Sequence, residues 1–238
     1  MQRTHRYLSA LGVLGAVACG DGGASNPVVS SDAGATAGDA GDEQMKPSQG
    51  NGPCGKGRYP SEGSVSFCGE PEEGCTPLSE AADYTSFYGD VYVTAASDLE
   101  PLACFKKAQS LSLFKMPELE NLEPLGNLVH VSYLTIQDSP KFKSLAGVKP
   151  GYVDTLSIAN CGFEDMGGLT EAIELDAITI EDNENLTSLA GLERVTITDL
   201  IAIRNNPKLP ECEAQAFAAR FPDVQVVISG NDSSASCP

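Results

Sequence analysis

Ser110-Leu111-Ser112-Leu113, Tyr133-Leu134-Thr135-Ile136, Thr155-Leu156-Ser157-Ile158, Ala177-Ile178-Thr179-Ile180 and Leu200-Ile201-Ala202-Ile203 are versions of one phrase. In each, two apolar residues flank a small one. The second apolar residue falls at 113, 136, 158, 180 and 203, so successive copies lie 23, 22, 22 and 23 residues apart. A period this regular marks a solenoid with one coil per repeat. Apolar residues at alternate positions suit a strand with one buried face, and their β-branched or leucine character suits strand geometry. The expected fold is a β-rich solenoid, a right-handed coil whose strands stack into a parallel sheet.

Beyond each phrase runs a looser set with an apolar residue at every third position. Examples are Leu119, Leu122, Leu125 and Leu128; Phe142, Leu145 and Val148; Phe163, Met166 and Leu169; and Leu186, Leu189 and Leu192. That spacing is too tight for an amphipathic α-helix and too wide for a strand. It predicts a back wall of short 3₁₀ or irregular segments that turn inward once per three residues. No coil could bury its apolar face alone, so the stack must supply one continuous core.

Ser139, Cys161, Asn183 and Asn206 stand three residues past the second apolar residue of their phrases. A tight corner leaves backbone groups that an inward side-chain amide can bond. Asn183 and Asn206 are therefore expected to form a structural corner ladder, and Cys161 is expected in the same slot because the leucine-rich repeat pattern accepts Asn or Cys there. Met116 breaks the pattern, so the ladder should begin after the first full repeat. Ser-Pro at 139–140 and Asn-Pro at 206–207 add turn chemistry.

The phrase Ile178-Thr179-Ile180-Glu181-Asp182-Asn183-Glu184-Asn185-Leu186-Thr187-Ser188-Leu189-Ala190-Gly191-Leu192 resembles a repeat of the receptor L-domain. That leucine-rich-repeat-like module occurs in the extracellular halves of insulin- and epidermal-growth-factor-type receptors and in bacterial surface proteins. Phe142-Lys143-Ser144-Leu145-Ala146-Gly147-Val148 echoes it. The resemblance covers roughly residues 75–237 and accepts Asn or Cys at the corner. It implies a fold and carries no ligand with it, because one scaffold hosts many functions.

Residues 1–18 read as an export signal: Arg3, His5 and Arg6 precede an apolar stretch from Tyr7 to Ala18, too short to span a membrane. The ending Ala16-Val17-Ala18-Cys19 resembles a bacterial lipobox, which would make Cys19 the lipidated first residue. Cleavage after the Ala16-Val17-Ala18 triplet by ordinary signal peptidase is the alternative, and it would release the chain. Residues 19–53 then form a linker that, after Cys19, holds no aromatic residue, Leu or Ile. Such a segment cannot offset its ordering entropy, and as a random coil it would reach on the order of 30 Å.

Residues 54–109 are expected to form a cysteine-bearing N-terminal cap and first coil, with its strand at Gly89-Asp90-Val91-Tyr92-Val93. Residues 110–206 are the repeats and 207–238 the C-terminal cap. In that cap Glu211 to Phe221 is a helix candidate between Pro210 and Pro222, and Val224 to Ile228 a last strand. Cys212 and Cys237 bracket both and should be bridged. With Cys19 lipidated and Cys161 in the ladder, six cysteines remain, an even set that reads as three disulfides in an exported chain. With Cys212–Cys237 granted, the other four cysteines allow three connectivities; the L-domain resemblance implies Cys75–Cys104, and the expectation taken with it is Cys54–Cys68.

The chain has a formal net charge of −18, and losing residues 1–18 would leave 13 basic against 33 acidic residues, a net −20. That argues against nucleic acid and against docking on anionic lipid, so membrane contact should run through the lipid anchor alone. No cofactor is expected. No CxxC pair supports zinc, and Asp182-Asn183-Glu184-Asn185 lacks the spacing of a calcium loop, so no metal is expected either. Beyond the signal the one histidine is His130, and no G-x-S-x-G motif accompanies it, so a hydrolase is the minor alternative to a non-enzyme. On the sheet face, Tyr92, Phe114, Tyr133 and Arg204 are of the types that anchor partners. The expectation is a lipid-anchored envelope protein, outer-membrane-attached or else secreted, that binds a protein or glycan at the cell surface. A structural envelope protein without a discrete ligand is the alternative.

Overall fold

The computed structural model describes residues 63–69, 73–147, 153–169 and 172–237. The signal, Cys19, the linker, Cys54, Val148 and Pro238 lie outside the described residues. Nine strands form one all-parallel sheet: β1 (Val65–Cys68), β2 (Thr76–Pro77), β3 (Asp90–Thr94), β4 (Lys107–Phe114), β5 (His130–Ser139), β6 (Val153–Cys161), β7 (Ile173–Glu181), β8 (Val195–Arg204) and β9 (Gln225–Ser229). Their order is β2-β1-β3-β4-β5-β6-β7-β8-β9, so from β3 onward each coil adds its strand beside the last. The sheet is open and solenoid-like, with one α-helix among the described residues, α1 (Glu211–Ala218), between β8 and β9.

The repeated phrases align residue for residue. Leu111, Leu134, Leu156, Ile178, Ile201 and Val226 form one row across the sheet, and Leu113, Ile136, Ile158, Ile180, Ile203 and Ile228 the next. The 23-residue step into β8 has a local cause. Leu175 pairs with Ile197 but Ala177 with Leu200, so a bulge absorbs one extra residue. The inward rows meet the buried back-wall residues Leu122, Leu125, Phe142, Leu145, Phe163, Met166, Leu186 and Leu192 in one core.

Among the described residues three segments outside the strands are 3₁₀: Leu78–Asp83, which follows Pro77, and two that contain a proline. Glu100–Leu102 and Glu123–Leu125 are Glu-Pro-Leu turns with proline near the start, where its fixed φ is already helical. Later coils lack that proline and run as turns and extended chain. In the five coils between β3 and β8 a short side chain bonds the N–H two residues on: Asp98, Asn121, Ser144, Asp165 and Ser188 receive Glu100, Glu123, Ala146, Gly167 and Ala190. Back walls also bond each other directly, as Met166 N–H does to the Ala190 carbonyl at 2.9 Å. Gly191 is required beside that contact, since its φ is +103° and a Cβ would collide with the Met166 carbonyl.

Three expectations change. The sheet starts two strands earlier than residues 89–93, because Val65–Cys68 pairs in parallel with Val91–Thr94 and Thr76–Pro77 pairs with its other edge. The disulfides Cys54–Cys68 and Cys75–Cys104 give way to Cys68–Cys75. The short strand β2 lies against β1, setting Thr76 opposite Phe67 and the two cysteine Cα atoms 6.0 Å apart, within bonding reach. Cys104 is disulfide-bonded as well, so its partner is not Cys75. At the other end Cys212 is bonded to Cys237, and the helix stops at Ala218 rather than Phe221. Arg220, just beyond it, donates to the Leu192, Glu193 and Val195 carbonyls and seals the preceding coil.

Candidate functional site

The outer face of the sheet is built by the residues that alternate with the two inward rows. Its central row reads Ser66, Tyr92, Ser112, Thr135, Ser157, Thr179, Ala202 and Val227. One flanking row runs Asp90, Ser110, Tyr133, Thr155, Ala177, Leu200 and Gln225. The other runs Thr94, Phe114, Gln137, Ala159, Glu181, Arg204 and Ser229.

This register gathers three of the four residues singled out from sequence. Tyr92 lies directly across from Ser112, Phe114 is two residues along the same strand, and Tyr133 sits diagonally on β5. Diagonal neighbours on one sheet face are about 7–8 Å apart, within reach of aromatic side chains. Ser112, between them, is only 8% exposed, whereas Tyr133 is 52% exposed. The result is a small polar floor ringed by aromatic groups. Ser110 adds to that floor and donates to Asp90 Oδ1 at 2.8 Å. Tyr88, two residues ahead of β3, is exposed too; it was missed because it precedes the strand phrase.

Arg204 does not join them. It lies on β8, three strands from Tyr133 and four residues further along, since Tyr133 shares a row with Leu200; at about 4.8 Å per strand and 3.3 Å per residue that is roughly 20 Å. Its guanidinium is paired with Glu181 across the β7–β8 boundary, with Nε 2.9 Å from Oε1. Around it the face is Ala159, Ala177, Ala202 and Leu200, with no aromatic residue.

The corners carry a continuous side-chain ladder. Met116 N–H donates to Ser139 Oγ, Cys161 N–H to Asn183 Oδ1, Asn183 N–H to Asn206 Oδ1, and Asn206 N–H to Asn231 Oδ1. The Asn206 and Asn231 amides also donate back to the Ile180 and Ile203 carbonyls. Asn231 is a rung beyond the expected Cys161, Asn183 and Asn206. Its signal was present: it stands three residues past Ile228, as Asn206 does past Ile203. The residue before each rung is left-handed, with φ 70° at Gly230 and between 51° and 57° at the five others, Lys115, Asp138, Asn160, Asp182 and Asn205. Four of those five are Asp or Asn, the non-glycine types that adopt this conformation most readily.

Cys161 is a free, buried thiol, and burial pushes its pKa up to about 12. It is therefore a poor nucleophile, and its sulfur serves the ladder by donating to the Ala159 carbonyl. His130 opens β5 half-buried, opposite Lys107. Among the described residues no group of three or more His, Cys, Asp or Glu could hold a metal, and no helix is long and apolar enough to cross a membrane. Comparison of the chain with protein-family models, with curated proteins and with solved structures returns no match.

Proposed function

We propose that this chain is an exported, lipid-anchored envelope protein and a non-catalytic binding module. Its coils are of the leucine-rich-repeat-like, L-domain kind, and the aromatic end of its sheet holds a protein or glycan at the cell surface. The observation that carries the reading is the grouping of Tyr92, Phe114 and Tyr133 around the nearly buried Ser112. Tyrosine presents a large apolar ring with a polar tip at low entropic cost, and clusters of such residues around a dry centre are where binding energy concentrates. A glycan would stack its apolar faces on the rings and bond Ser112, Ser110 and Asp90; a protein would insert a side chain among them. The acidic balance of the chain fits neither nucleic acid nor an anionic bilayer, which leaves a lipid on Cys19 as the membrane contact.

The test is co-sedimentation of the protein with purified envelope fragments, for wild type and for Tyr92→Ala/Tyr133→Ala, with circular dichroism as the folding control. Binding should weaken at least about tenfold, the loss of roughly one hot-spot contact or more. Undiminished binding by the double variant sinks the proposed face. Absence of any binding favours a structural envelope protein. Intact mass of the chain isolated from its native membranes reads the anchor separately: a lipid-sized increment on Cys19 is expected, and an unmodified N-terminus makes it a released protein.

A further inference from the structure

The last strand is unfinished. At Leu111, Leu113, Ile201 and Ile203 the inward rows are 0% exposed, but Val226, in the same row, is 43% exposed and Ile228 is only half-buried. β9 ends the sheet, so its outer edge pairs with no strand among the described residues. Exposed edges are normally blunted by charge, proline or a bulge. Gln225-Val226-Val227-Ile228-Ser229 has none of these, in a chain of net charge −18.

The free groups of that edge can be assigned. Asn205 N–H donates to the Ser229 carbonyl, so Ser229 faces β8. Successive residues of a strand point their N–H and C=O to opposite sides, so Gln225 and Val227 face β8 too, and Val226 and Ile228 face outward. The strand is also palindromic in character: polar, three apolar, polar, centred on Val227. Laid antiparallel on itself about Val227, Val226 of each copy meets Ile228 of the other. Those are the outward-facing residues, so each such pair can exchange both backbone hydrogen bonds. Val227 then meets Val227 as a non-hydrogen-bonded pair, and Gln225 meets Ser229.

We propose that β9 is a self-complementary interface through which two copies of this chain pair antiparallel, joining their sheets edge to edge and burying Val226 and Ile228. The two-fold relation places both aromatic faces on the same side of the joined sheet, although the pairing itself does not depend on what those faces bind.

Sedimentation velocity of the full chain, as isolated, should show a species of twice the chain mass. Val227→Lys, which sets like charges opposite each other on an exposed face, should raise the dimer dissociation constant by about tenfold or more. Val227→Cys should form a reducible dimer under mild oxidation, because a non-hydrogen-bonded pair holds its Cα atoms about 4.5 Å apart, within disulfide range. Gln225→Cys should not cross-link, since it faces Ser229. A chain that sediments as a single copy over the whole concentration range and leaves Val227→Cys uncross-linked overturns the proposal. So does a dimer indifferent to Val227→Lys, or equal cross-linking through Gln225→Cys.

Discussion

At one position of the coil the molecule uses two different solutions. In the C-terminal coils it is Asn183, Asn206 and Asn231; in the N-terminal coils it is Ala96, Met116, Ser139 and Cys161. An asparagine accepts from the preceding rung and donates to carbonyls of its own and the preceding coil, so Asn206 closes the account for Asn183 N–H, the Ile180 carbonyl and the Arg204 carbonyl at once. Serine and cysteine do less: Ser139 accepts from Met116 and donates to the Gln137 carbonyl. Met116 and Ala96 offer only apolar volume and are buried. There the stack leans instead on the aromatic cluster Phe67, Tyr84, Phe87 and Phe105, with neighbouring centroids 5.0–6.3 Å apart, and on Cys68–Cys75. A corner must be filled and its backbone satisfied, and the two halves divide those tasks differently.

The sharpest way to break this comparison is Asn206→Ala. It orphans a buried N–H and two carbonyls, and should cost about 3 kcal/mol or more in urea unfolding. A loss below about 1 kcal/mol would mean that water replaces the rung, and the ladder would be ornament. Next, Cys212→Ala/Cys237→Ala opens a link between residues 25 apart and should cost about 3 kcal/mol by chain entropy. Cys68→Ala/Cys75→Ala, with a separation of 7, should cost less, about 2 kcal/mol. An inverted order would show that the N-terminal end depends on its disulfide more than on its aromatic cluster.

Cys161 gives a pH signature at the boundary between the halves. Its folded pKa, about 12, lies above the ordinary 9.0, because burial disfavours the thiolate. Stability is therefore fully present below pH 9 and falls as the unfolded thiol ionises, by about 1.4 kcal/mol per pH unit, until pH about 12. Cys161→Ala should lower stability by about 1–2 kcal/mol at neutral pH, and abolish this share of the alkaline decline. A thiol reagent that modifies native Cys161 at pH 8 would contradict its burial. The smallest effect belongs to Arg204→Ala. Arg204 and Glu181 side chains are 45% and 21% exposed, and a pair so near water contributes at most about 1 kcal/mol. A larger loss would mean that the polar half depends on its face as well as its corners.

Much of this was legible in the chain. The strands, their spacing, the capping helix and two of the three asparagine rungs follow from local patterns repeated at one period, and repetition makes a weak signal readable. Asn231 was legible by its offset from Ile228, yet α1 and its flanking turns stretch the last step to 25 residues and hide it. Of the cysteine pairs, Cys212–Cys237 was legible because it brackets the last helix and strand, but Cys68–Cys75 was not: bonding needs two Cα atoms within about 7 Å, and sequence separation does not fix that distance. Val65-Ser66-Phe67 repeats the phrase, two apolar residues around a small one, but Phe67 stands 26 residues before Val93, off the 22–23-residue period, and so it was passed over.

Sequence by itself determined the coil: where each strand alternates, where each corner turns, and which residues point inward. These are properties of a few consecutive residues, set by backbone geometry and by the need to bury one face. Tertiary structure alone decided what lies beside what. Register between coils gathered Tyr92, Phe114 and Tyr133 and left Arg204 apart with Glu181. It paired Cys68 with Cys75, and it left the Val226 row uncovered at β9. Each depends on distances between residues a full coil apart, which only the packed stack fixes.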